Sequence, residues 1–201
     1  KRIRKGEYKI FGKGLGSYYC KKNTVLNFGN SGTAARLLGF GVCSTNPNLQ
    51  IKITGDKSLR NRSMYKIMKA VENFGVIFLP KNKFKLPITL ISSSSPIGFK
   101  FRNDLSSQIK SAIMLGAINS FGKTEVIETK KSRDHTEKML EHNSNVIKIK
   151  KGKQNLIEIT GKEILKPFNL FVPGDPSSAS FYAALCLMSK NSKVVIKKVH
   201  I

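Results

Sequence analysis

The chain repeats itself. Three segments, GNSGTAARLLGFGV, RNDLSSQIKSAIMLGAI and PGDPSSASFYAALCLM, follow one another at a spacing of roughly 70 to 75 residues. Each opens on a polar turn with Asn or Asp, passes through Ser or Thr, and runs into an Ala-rich apolar helix. After the first two comes a β-rich segment, NLQIKITG and KTEVIET, then an Arg-bearing turn and a second helix, SLRNRSMYKIMKAVENFG and KSRDHTEKMLEHN. The third copy reaches only a strand, KVVIKKVHI. Strands alternating with helices in a repeated unit predict an α/β fold with helices packed inside sheets. A solenoid is the competing arrangement. A polar opener before every apolar helix favours instead several helix N-termini converging on one anionic site, where free N–H groups and the helix dipole meet negative charge.

Local signals support the helices. Ile109, Ala112, Ile113 and Ala117 fall on one helical face, as do Met64, Ile67, Met68 and Val71, with Gly75 placed as a C-terminal stop. Asp134 and Glu137 have the spacing of a capping box, and Asp175 opens the third helix as its cap. IEIT supplies a further short strand. The run Ser92 to Ser95 reads as a loop. Arg36, inside the first helix, reads as half of a structural pair, Arg60 as a surface residue, and His135 as a capping or packing histidine.

At 201 residues and 40% hydrophobic content the chain can bury a real core as one large domain or two small ones. Its formal net charge of +24 brings nucleic acid, anionic membranes and acidic substrates into view. The charge is mostly lysine, scattered in pairs such as Lys21–Lys22, Lys130–Lys131 and Lys150–Lys151, whereas groove and phosphate recognition favour arginine forks. There is no Trp for a stacking platform. Cys20, Cys43 and Cys186 form no CxxC pair and no metal-ligand spacing with His135, His142 or His200, which predicts no metal site and a reduced, cytoplasmic compartment. No apolar run is long enough for a membrane span, and the N-terminal residues lack the apolar core of a secretory signal. The start without Met and the strand-like ending KKVHI point to a piece of a longer protein.

Five motifs, GNSGTAARLL, TGDKSLRNR, SSQIKSAIMLGA, SRDHTEKML and VPGDPSSASF, together resemble the 5-enolpyruvylshikimate-3-phosphate synthase family, in its order and at its approximate spacings. The resemblance covers nearly the whole chain. It implies an enolpyruvyl transferase fold of repeated βαβαββ units in two similar domains, with residues 1–168 forming most of the first domain, short of its N-terminal segment, and 169–201 the crossover and start of the second. It also implies transfer of the enolpyruvyl group of phosphoenolpyruvate to the 5-hydroxyl of shikimate 3-phosphate with release of phosphate, in the pathway to chorismate and the aromatic amino acids. No metal or organic cofactor, and a monomer at full length, are expected. SSQ and SRDHTE resemble this branch more than the related UDP-N-acetylglucosamine enolpyruvyl transferases.

Residue by residue, the resemblance puts Asn30, Gly32, Arg62 and Gln108 at phosphoenolpyruvate, with Thr33 shaping the same turn. It puts Ser106, Ser107, Gln108 and Arg133 at shikimate 3-phosphate. A guanidinium fork suits paired carboxylate or phosphate oxygens, and hydroxyls with helix N–H groups suit phosphate and ring hydroxyls. The family's early KSxSxxR motif has no counterpart before Lys1, and its acid–base residues fall in a second domain this chain does not contain, so no catalytic residue is expected here and the chain alone should not turn over. The family's inhibitor glyphosate occupies the phosphoenolpyruvate site; SRDHTEKML resembles the branch that often tolerates it, whereas NSGT keeps, at Gly32, the glycine of sensitive members, and this local feature is expected to outweigh the branch. Two other classes compete. A basic nucleic-acid-binding module predicts an arginine stripe or aromatic platform, and a repeat scaffold for protein partners predicts no convergent polar site.

Overall fold

The computed structural model describes residues 1–103 and 106–199. The chain divides into two compact units, Lys1–Lys166 and Pro167–Ile201.

The first unit holds the repeat twice. In the first copy β3 (Thr24–Asn27) leads into α1 (Gly32–Ala34), which continues through a π-helical stretch, Ala35–Val42, into α2 (Cys43–Thr45). There follow β4 (Gln50–Thr54), α3 (Lys57–Asn61), α4 (Tyr65–Val71), a 3-10 turn (Glu72–Phe74), β5 (Ile77–Leu79) and β6 (Ile88–Ile91). The second copy reads β7 (Lys100–Asn103), α5 (Ser107–Ala117), β8 (Lys123–Glu128), α6 (His135–Leu140), β9 (Ile147–Lys150) and β10 (Asn155–Thr160). Both sheets have the same order, β3-β4-β6-β5 and β7-β8-β10-β9. The first two strands of each are parallel, and the rest pair antiparallel. Ahead of them β1 (Arg2–Arg4) and β2 (Glu7–Tyr8) form an exposed hairpin.

Strand alternation sends Ile51, Ile53, Ile88 and Leu90 from one sheet and Val126, Ile157 and Ile159 from the other into one core with Ala112, Ile113 and Met114 of α5 and Ile67, Met68 and Val71 of α4. The α/β expectation, with helices inside sheets, is what forms. Gly75 ends the α4 segment at φ 88°, a left-handed stop that glycine adopts without a Cβ penalty.

Two expectations need correction. Asp134 stands at the α6 N-cap but makes no side-chain capping bond, and its carboxylate pairs with Lys138 Nζ at 3.1 Å. Glu137 is buried in an ion pair with Lys110 instead of reaching back to the cap, so there is no capping box. The last strand, KVVIKKVHI, does not form among its described residues, of which Val199 alone makes an isolated parallel bridge, to Gly174. Its last two residues, His200 and Ile201, lie outside the described residues.

In the second unit α7 (Pro176–Met188) is capped by Asp175, which accepts from the N–H groups of Ser177 and Ser178 at 3.0 and 3.1 Å. Phe181, Tyr182, Leu185, Leu187 and Met188 are all exposed along it.

Candidate functional site

Glycine decides how closely the two central helices approach. A Cβ on Gly41 would lie 2.7 Å from the Ala112 carbonyl oxygen and 2.9 Å from its Cα, and one on Gly116 would meet the Phe74 ring at 2.8 Å and the Gly41 carbonyl at 3.1 Å. The π-helical stretch and α5 therefore cross backbone against backbone. Their N-terminal turns lie close enough that Gln108 Nε2 donates to Thr33 Oγ1 at 2.8 Å, joining residues far apart in sequence. Each turn is capped by its own serine, Ser31 Oγ accepting from Ala34 N at 3.1 Å and Ser106 Oγ from Ile109 N at 3.3 Å.

TGDKSLRNR supplies the third wall. Asp56 N donates to the Gly29 carbonyl at 2.9 Å, which ties this turn to the NSGT turn. The Asp56 carboxylate caps α3 through Leu59 N at 2.8 Å, and the fully buried Leu59 pins the helix to the core. Arg62 then falls at the α3 C-cap, and its Nη2 donates to Asn30 Oδ1 at 2.7 Å and more weakly to Ser58 Oγ at 3.4 Å.

Gly32 sits under two guanidinium groups. A Cβ there would lie 2.7 Å from Arg36 Nη1 and 3.1 Å from Arg62 Nη1. Arg36 Nη1 also donates to Gln108 Oε1 at 3.0 Å, so Gln108 accepts from Arg36 while donating to Thr33. Burial first, and the adjacent Arg62 charge second, push Arg36 below the ordinary guanidinium pKa. An arginine nonetheless stays protonated. Among the described residues no carboxylate forms an ion pair with either arginine. Two neighbouring guanidiniums without a carboxylate partner among the described residues, beside a capped helix start, have the chemistry that suits a carboxylate or phosphate.

Asn30, Gly32, Thr33, Arg62 and Gln108 thus form one contact cluster, with Ser106 and Ser107 on the turn that carries Gln108. Arg133 makes none of the contacts that tie this cluster together. It is exposed on the segment between β8 and α6, and Arg60 and His135 are exposed as well, so His135 does not pack. Arg60 Nε reaches Thr54 Oγ1 at 3.2 Å. Arg36 is the cluster member that sequence reasoning set aside. Its position one helical turn after Thr33, on the same side as the NSGT backbone, was the available signal.

A second polar group lies behind the segment that carries Arg133. Lys110 is fully buried in α5 and pairs with Glu128 at 2.8 Å and Glu137 at 2.5 Å. Glu128 Oε1 also accepts from Ser132 N at 3.0 Å and Ser132 Oγ at 2.7 Å, and Glu128 Oε2 accepts from Asn155 Nδ2 at 3.1 Å. Burial works against the Glu128 charge, yet the bonds from Lys110, Ser132 and Asn155 outweigh it and hold the carboxyl at about 2. Burial likewise works against the Lys110 charge, and its two carboxylates raise its pKa all the same.

A family model described as EPSP synthase (3-phosphoshikimate 1-carboxyvinyltransferase) matches residues 2–201. A 3-phosphoshikimate 1-carboxyvinyltransferase of Ruegeria sp. (strain TM1040) is 36% identical over 193 residues, covering 95% of this chain and 42% of the relative. One of Aquifex aeolicus (strain VF5) is 33% identical over 200 residues, covering 98% of this chain and 46% of the relative. Among solved structures, the EPSP synthase of Acinetobacter baumannii superposes with a TM-score of 0.71 at 32% identity, covering 89% of this chain and 39% of that one. The chain therefore spans less than half the length of the curated relatives it matches.

Proposed function

This chain belongs to the EPSP synthase family, and on that premise we propose that the complete enzyme transfers the enolpyruvyl group of phosphoenolpyruvate to the 5-hydroxyl of shikimate 3-phosphate. In balanced form, the hydroxyl gives up its proton to a base as its oxygen bonds to C2 of phosphoenolpyruvate, while C3 takes a proton from an acid and becomes a methyl group. The tetrahedral adduct then loses phosphate and the C3 proton to restore the double bond. The part of this chain is to bind and orient the substrates. Arg62 and Arg36 neutralise phosphoenolpyruvate charge above Gly32, Asn30 aims Arg62, and Gln108 stands between the two ligands. Ser106, Ser107 and Arg133 hold shikimate 3-phosphate. The acid–base groups belong to a second domain; residues 1–168 act as most of the first domain and 169–201 as the crossover and start of the second.

The observation that carries this reading is the pair of guanidiniums over Gly32 with no carboxylate partner, bridged by Gln108 to the neighbouring helix turn. We read the enzyme as a cytoplasmic monomer. In support, all three cysteines are free thiols, and no helix among the described residues is long and apolar enough to cross a membrane. The excess of basic charge is mostly compositional bias, with some steering of two polyanionic substrates toward the site.

The test is phosphate release. The complete enzyme is expected to release phosphate only when both substrates are present, and the 201-residue chain to release none. Release with UDP-N-acetylglucosamine in place of shikimate 3-phosphate would transfer the reading to the sister enzyme, and turnover by the chain alone would overturn the division of labour between domains.

A further inference from the structure

The site just described leaves the buried cluster of Lys110, Glu128 and Glu137 without a role. Lys110 occupies the fourth position after its helix cap, Ser106, and the same position after Ser31 in the first copy is Ala35, which is also fully buried. Its partner Glu128 closes the parallel ladder opposite Asn103, as Thr54 closes the first copy's ladder opposite Asn27. The same helix–strand junction is thus built once from Ala35 and Thr54 and once from Lys110 and Glu128. The fold does not need the charges. Nor do buried ion pairs add stability over apolar packing as a rule, because desolvation offsets their attraction.

What the second copy gains is a tether. Lys110 stands two residues from Gln108 on α5 and holds Glu128 at the end of β8 and Glu137 on α6. Glu128 grips Ser132 through both backbone and hydroxyl, and Ser132 is joined directly to Arg133. Thr136 Oγ1 adds a bond to Ser111 Oγ at 2.7 Å, again between α6 and α5. The segment between β8 and α6 has no regular structure of its own, so these bonds set where it lies against α5.

We propose that Lys110 is a positioning residue for the shikimate 3-phosphate side of the site: through Glu128 and Glu137 it fixes the Arg133 segment relative to the Ser106–Gln108 turn. This rests on the assignment of those residues to shikimate 3-phosphate. Arg36 and Arg62, read as holding phosphoenolpyruvate over Gly32, lie on other elements and meet the tethered α5 turn only through Gln108, so the tether acts mainly on the Arg133 segment.

The experiment is steady-state kinetics on the complete enzyme carrying Lys110→Met, with KM measured separately for each substrate. A second variant, Lys110→Met/Glu128→Met/Glu137→Met, leaves no buried charge and covers the case where the single substitution does not fold. The KM for shikimate 3-phosphate is expected to rise about tenfold, as when one charge-assisted contact is misplaced, while the KM for phosphoenolpyruvate moves less than about twofold. A merely structural lysine would lower thermal stability and leave the ratio of the two KM values unchanged, which overturns the proposal. Arg133→Ala is measured alongside. If it too leaves the shikimate 3-phosphate KM unmoved, the underlying assignment fails. If it raises that KM and the Lys110 variants do not, only the positioning role is lost.

Discussion

The two copies of the repeat share one sheet order and differ in how each holds its second helix. In the first copy α4 buries Ile67, Met68, Ala70 and Val71, and the 3-10 turn after it adds Phe74. In the second copy α6 buries only Glu137 and Leu140. The first copy anchors its helix by apolar area, which is non-directional and indifferent to pH. The second anchors it by an ion triad and hydroxyl bonds, which are directional and fix an orientation. The proposed functional roles divide along the same line, apart from Gln108 of the second copy, which bridges to Arg36 and Thr33 of the first. The first copy presents Gly32, Arg36 and Arg62 from a packed base, while the second presents Arg133 from an irregular segment held by the triad. The two copies share one topology and differ in the chemistry of the helix junction.

The largest effect should come from breaking the charged anchor. Lys110→Met leaves Glu128 and Glu137 buried without a cation and is expected to cost about 3 to 5 kcal/mol, with most of that recovered in the apolar triple variant. Chemical denaturation of the complete enzyme measures both. The pH dependence follows from the depressed carboxyl. Glu128, held at about 2 against an ordinary 4.5, contributes stability that is complete above the ordinary value and lost as the pH falls toward about 2. Lys110, with its raised pKa, contributes at every pH below its ordinary value and loses its contribution only at strongly alkaline pH. The acid limb of the stability profile should therefore flatten in Glu128→Gln. An unchanged limb would mean that the second copy is anchored as the first is.

A smaller, sharper effect separates the two copies by ligand. Arg62→Ala removes a charge-assisted contact from the first copy and should weaken phosphoenolpyruvate by roughly 1.5 to 3 kcal/mol, with little change for shikimate 3-phosphate; Arg133→Ala should do the reverse. Equilibrium binding of each substrate to each variant decides it, and parallel losses for both substrates would erase the division between copies.

The smallest effect concerns Gly32. A methyl group there meets the tips of Arg36 and Arg62 before anything else in the protein, and tips of flexible side chains can move. Gly32→Ala is expected to weaken phosphoenolpyruvate by about 1 kcal/mol and to weaken the longer inhibitor glyphosate more, turning a sensitive enzyme tolerant. Inhibition curves at fixed phosphoenolpyruvate test this; equal inhibition of parent and variant would mean that the ligand does not lie against Gly32.

Periodicity and turn chemistry were enough to read the repeated strand–helix plan, the Gly75 stop, the Asp175 cap and the polar helix starts from the amino acids alone, because each of these is local. The motifs also carried the resemblance that named Gly32, Arg62 and Gln108. The Asp134–Glu137 spacing misled because a buried ammonium competes for a carboxylate more strongly than a solvent-facing cap does. Lys110 could not be read at all. A lysine on an otherwise apolar helical face looks like a break in the pattern until Glu128, at an inward position of β8, and Glu137 are brought to it. Arg36 was set aside for the same reason, since its meaning depends on Gln108, which the close crossing at Gly41 and Ala112 makes its neighbour, and on Arg62, which the bond from Asp56 N to the Gly29 carbonyl brings to the same turn. Local preferences follow from the order of residues along the chain, whereas the pairing of buried charges depends on which segments the packed core forces together.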